Sequence, residues 1–137
     1  VPVDARATVA SRALDLVGVP FKLGGRCPRA GLDCVGVVAV ALAEHIPDYR
    51  IPDGYTLRGQ YLERITAFFD CPVFRRLAQE NPAPGDILLC QPAAWQFHLA
   101  IVTGHGLVHA HAGLRRVVLN PVSLPWPVIG RWRLVGD

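Results

Sequence analysis

Apolar residues recur at helical spacing in the first half of the chain and in short β-rich runs in the second. In residues 4–17, Val9, Ala13, Leu16 and Val17 form a rough stripe behind Asp4, a good N-cap, and Gly18 is a natural stop, which predicts a helix. The glycines and prolines of "GVPFKLGGRCPRAGLD" predict a structured loop rather than a strand. A second helix is expected from about Cys34 to Glu44, ended by Pro47, and residues 47–58 are turn-rich. "GQYLERITAFF" predicts a helix over 59–69, with Tyr61, Ile65 and Phe68 on one side and Cys71-Pro72 closing it. A short helix is expected around Phe74 to Gln79, and "NPAPGD" is loop punctuation.

From Asp86 onward the period changes. "DILLC", "FHLAIVT", "GLVHAHA", "RRVVLNPV" and "IGRWRLV" read as strands separated by turns, with "TGHG" as a hairpin turn. Helices first and strands afterwards predict an α+β fold with an antiparallel sheet. Repeats and low-complexity tracts are absent from the sequence, so one domain over 1–137 is expected.

Composition narrows the class. A chain of 137 residues, 51% of them hydrophobic, buries roughly two-thirds of its unfolded surface and needs no staples to hold a core. No apolar run approaches the ~20 residues of a membrane span, and the charged N-terminal stretch does not read as a signal peptide. The formal net charge is +3, carried by thirteen arginines and Lys22 against eleven acidic residues. Mild positive charge suits docking on a polyanion. No basic run interleaved with aromatics supports nucleic-acid binding. Cys27, Cys34, Cys71 and Cys90 are irregularly spaced, so free thiols are expected.

One cysteine stands apart. With Asp33 as N-cap, Cys34 falls at the first helical position. There the unpaired N–H groups and the helix dipole favour a thiolate and can hold an oxyanion. The commoner state of a free cysteine is a small buried hydrophobe, so this reading needs a base nearby. His45 ends the second helix and His105 sits in the hairpin turn, which leaves His98, His109 and His111. Strand alternation puts His109 and His111 on one face. A two-residue turn at Gly104-His105 sets His98 opposite His111 and diagonal to His109. Three imidazoles sharing a face suit a base oriented by a second ring. Zinc is the competing use, but no close pair of cysteines supports it. Trp95, and more weakly Tyr55, are candidates to line a groove. Trp126 and Trp132 are expected to pack.

The stretch "LVGVPFKLGGRCPRAGLDCVGVV" and the later "PGDILL…HLAIVTGHGLVHAHAG" together resemble the NlpC-type cell-wall cysteine peptidases. The likeness covers roughly residues 10 to 120. It implies a papain-like α+β fold with N-terminal helices packed on a C-terminal antiparallel sheet. By position it implies Cys34 as nucleophile, His98 as general base and His109 as the residue orienting His98, with His111 the alternative third member. The implied reaction is hydrolysis of an amide in peptidoglycan stem peptides, with no metal or organic cofactor. Phe21 stands where the family has tyrosine, and Val35 where it has the serine after the nucleophile. Asp33 matches the residue associated with gripping the free amine of the stem. Substrate contacts are therefore expected at Asp33 and Phe21, and at Trp95 from its place three residues before His98. The chain looks most like single-domain members carried by phages and gene-transfer agents, with tail or secretion components as partners. It would be made in the cytoplasm and act at the bacterial cell wall. A catalytically silent tail or wall-binding module and a related thiol acyltransferase are the competing functions.

Overall fold

The computed structural model describes residues 4–45, 60–78, 81–94, 96–121 and 125–135, with the side chains of 60 and 61 outside the description. Trp95, Tyr55 and Pro47 therefore lie outside the described residues. Asp4 caps α1 (Ala5–Asp15) by accepting from Arg6 N, and Val9, Ala10 and Ala13 are buried along its inner stripe. Asp33 caps α2 (Cys34–Leu42) by accepting from Gly36 N. Most of α2 is buried, as its almost unbroken apolar composition requires. α3 (Gln60–Phe69) buries Ile65 and Phe69.

Between α1 and α2 the expected loop contains a two-stranded antiparallel ribbon, β1 (Arg26–Cys27) and β2 (Gly31–Leu32). The expected helix at 74–79 is instead β3 (Phe74–Arg76). Phe74 and Arg76 pair with Leu134 and Trp132 of β8 (Val128–Leu134), so an available sheet edge overrides local preference.

The remaining strands are β4 (Ile87–Ala93), β5 (Gln96–Thr103), β6 (Gly106–His111) and β7 (Arg116–Asn120). They join β3 and β8 in one sheet of order β3-β8-β4-β5-β6-β7, with every pairing antiparallel. Sheet alternation divides the core. Leu89, Leu99, Ile101, Val108 and Ala110 join the helices in the main cluster. Leu88, Cys90, Ala100, Val102 and Leu107 form a smaller cluster on the other face, packed against Trp126 and Val128. The α+β expectation, with helices packed on an antiparallel sheet, is borne out. No described helix is long and apolar enough to cross a membrane.

The hairpin of β5 and β6 positions the site. Thr103 pairs with Gly106 across the two-residue turn, and pairing runs on through Val102↔Leu107 to Ile101↔Val108. There it stops, with His98 and His111 still beyond it. α2 packs against both strands, and its N-terminal residue meets the place where they part: the backbone N–H of Leu99 faces the Cys34 sulfur.

Candidate active site

Asp33 fixes the helix start that carries Cys34. The buried Asp33 carboxylate accepts from Gly36 N at 2.8 Å and from Gly24 N at 2.7 Å. Arg26 adds an ion pair at 3.2 Å. One carboxylate thus ties the glycine loop to the first turn of α2. Contact there is backbone to backbone: a Cβ on Gly36 would collide with the Gly25 carbonyl, and one on Gly25 with the Gly31 carbonyl. Both glycines are there for close approach.

A cavity of about 250 Å³ opens beside the thiol. Phe21, Pro92 and Trp126 supply apolar wall, while Cys34, Gln96, His98, His109 and His111 supply the chemistry. Asp33 is 0% exposed and lies under this cavity rather than on its wall. Phe21 reaches the wall because its strand-like segment bridges Leu32 and its N–H donates to Arg115 O.

The imidazoles are arranged in sequence. His98 Nε2 lies 2.8 Å from His109 Nδ1. His109 Nε2 lies 2.6 Å from Asn120 Oδ1. Turn register alone sets His98 opposite His111. The structure instead joins His98 to its diagonal neighbour His109, because pairing ends before the 98/111 rung is reached. His111 turns aside, its Nδ1 accepting from Leu114 N at 3.0 Å. Both His109 nitrogens are engaged in hydrogen bonds. Trp126 packs edge-on against His98 and His109, at ring centroid distances of 5.4 and 5.7 Å. It covers the pair rather than merely filling a sheet edge. Asn120 was not among the sequence candidates. The only signal for it was spacing, since His98, His109 and Asn120 are eleven residues apart in turn.

Electrostatics departs from the sequence argument. Burial pushes the Cys34 thiol up to about 12, and the Asp33 charge acts in the same direction. The backbone N–H groups of Leu99 and Val35 pull the other way and are outweighed. Burial, with the proximity of the His109 and His111 imidazoles, brings His98 down to about 3. His109 is also lowered by burial, against the opposing hydrogen bond that it donates to Asn120 Oδ1. The resting pair is therefore thiol and neutral imidazole. The expectation that the helix tip ionises the sulfur is corrected by desolvation. The imidazole hydrogen bonds among the described residues run to partners other than Cys34. All four cysteines are free: Cys90 is buried in the smaller cluster and Cys27 is exposed.

No family model and no curated protein matches the chain. Solved structures do. NlpC2 from Trichomonas vaginalis superposes with a TM-score of 0.71 at 16% identity, covering 97% of this chain and 49% of that one. The NlpC/p60 domain of the peptidoglycan hydrolase SagA gives 0.62 at 22% identity, covering 90% and 95%. The peptidoglycan hydrolase RipB from Mycobacterium tuberculosis gives 0.65 at 22% identity, covering 96% and 65%. The chain thus spans about half the length of the Trichomonas protein and nearly all of the SagA domain. Its helices, its six-stranded antiparallel sheet and these superpositions together identify the fold as that of NlpC/p60 domains.

Proposed function

We propose that this chain is a cysteine endopeptidase or amidase that hydrolyses amide bonds in peptidoglycan stem peptides. The observation that carries the reading is the cavity shared by Cys34 and the hydrogen-bonded His98–His109 pair. Two of its structural neighbours, SagA and RipB, are peptidoglycan hydrolases, which supports the substrate class.

Cys34 is the nucleophile and His98 the general base, with His109 orienting His98. Because both groups rest neutral, the proton leaves sulfur for His98 as the sulfur attacks the carbonyl. The two charges formed together attract one another in a cleft of low dielectric, which offsets the burial that opposes each alone. The Cys34 N–H at the helix tip donates to the tetrahedral oxyanion. His98 then protonates the leaving amine, and water releases the acyl-enzyme. Phe21 and Trp126 form the apolar wall for the substrate, and Trp95 is assigned there from sequence alone. Asp33 acts through the helix it caps. Action at the bacterial cell wall follows from the substrate. Delivery by a virion tail or a secretion machine rests on the sequence likeness.

Cys34 is only 2% exposed, which favours a second reading: a silent wall-binding or tail module with the same fold. Digestion of purified muropeptides by wild type and Cys34→Ala, read by mass spectrometry, separates the two. A defined cleavage made only by wild type is expected. No cleavage by either protein would assign the chain to the silent module. An acyl product on an amine or alcohol in place of water would assign it to a thiol acyltransferase.

A further inference from the structure

We infer that Asn120 is a positioning residue that sets the tautomers of His109 and His98, so that the base nitrogen left for the cleft is His98 Nδ1. The inference rests on the hydrolase reading for its purpose, and on hydrogen-bond geometry for its content.

A carbonyl oxygen only accepts. With Asn120 Oδ1 at 2.6 Å, His109 Nε2 must carry the proton. A neutral imidazole has one N–H, so His109 Nδ1 holds a lone pair and accepts in turn. Its partner at 2.8 Å is His98 Nε2, which must therefore donate. His98 Nδ1 is then the unprotonated nitrogen, and it makes no hydrogen bond among the described residues. Both rings rest neutral because burial opposes their charged forms, so the one-proton rule applies to each.

The sheet makes this relay possible. Val118 pairs with His109 and Asn120 pairs with Leu107, so Asn120 lies one diagonal step from His109 on the same face. His98 lies one diagonal step away on the other side. The three residues form an oblique row across β5, β6 and β7. The Asn120 backbone is held tightly as well: a Cβ on Gly106 would collide with its carbonyl. The amide thus acts from a fixed strand end. Were it reversed, Nδ2–H would donate to His109, every proton in the row would shift, and His98 would present N–H to the cleft instead of a lone pair.

Nitrogen-15 NMR of histidine-labelled protein at pH 7 reads the tautomers without substrate. In wild type, His98 and His109 should both be Nε2–H. In Asn120→Ala, His109 should become a mixture of tautomers, and kcat for stem-peptide cleavage should fall about tenfold with little change in KM. Asn120→Asp, whose carboxylate can only accept, should keep both tautomers and most of the activity. It should also move the acid limb of the pH profile upward. Wild-type His109 protonated on Nδ1, or unchanged tautomers in Asn120→Ala, would overturn the inference. Should Asn120→Ala unfold, loss of the Nε2–H pattern in folded Asn120→Asp overturns it equally. Absence of cleavage by wild type would instead overturn the hydrolase reading, while the NMR result still decides the relay.

Discussion

His98 is the residue at which burial and chemistry conflict most. Its imidazole is held near 3 against the usual 6.5. A group whose folded pKa is depressed adds stability above its unfolded pKa, and that stability is lost as pH falls toward the folded value. Between pH 7 and pH 5 the loss from His98 is roughly 2 kcal/mol. Urea unfolding at the two pH values should show a lower midpoint at pH 5, and His98→Gln should remove most of that difference. Equal midpoints in wild type would mean that the ring is not desolvated as described. Cys34 has the opposite sign. Its thiol is raised from 9 to about 12, so its contribution is present below pH 9 and fades as pH rises toward 12. At this scale the sequence was half legible. The residue types and their spacing named Cys34 and three hairpin histidines, and the family likeness chose His98 and His109 among them, but desolvation reversed the expected protonation state of the thiol.

At the scale of elements, the tip of α2 is the part that tolerates least change. Its position depends on Asp33 holding Gly24 and Gly36, and on two glycines that let backbones touch. Gly36→Ala forces a side chain into the Gly25 carbonyl and should cost about 1–3 kcal/mol. Gly104→Ala, with nothing within 4 Å of the added carbon, should stay within about 0.5 kcal/mol. Thermal melts of the two variants give the comparison, and equal melting temperatures would remove the close-approach argument. The helix itself was readable from Asp33 and the apolar run behind it. The β1–β2 ribbon and β3 were not, because two or three residues carry no period and their strand state comes from a partner elsewhere in the chain.

Across the whole molecule, the sheet separates stability from chemistry. On the helix-covered side, Trp132 is fully buried, stacks on Phe69 at 5.1 Å and donates to Asp70 at 2.9 Å. The imidazoles sit on the opposite face, against Trp126. Trp132→Ala should therefore cost about 3–5 kcal/mol of stability, yet leave kcat per folded molecule near wild type. A fall in kcat matching the fall in folded fraction would agree with that. A further loss in kcat would mean that the two faces are coupled. Cys34 bridges the faces because it enters where β5 and β6 cease to pair, and that opening is a property of the assembled sheet alone.

The sequence by itself determined the α+β class, the order of the three helices and of β4 to β8, a cysteine at a helix start and three histidines on one hairpin face. Those features follow from local periodicity, capping chemistry and strand alternation, which act within a few residues. Only the tertiary structure decided that pairing stops at Ile101↔Val108, which frees His98 from the His111 rung that strand register alone assigns it, that Asn120 ends the row, and that thiol and imidazole rest uncharged. Each of these depends on distant segments excluding water or supplying a partner, and neither effect is encoded in the spacing of neighbouring residues.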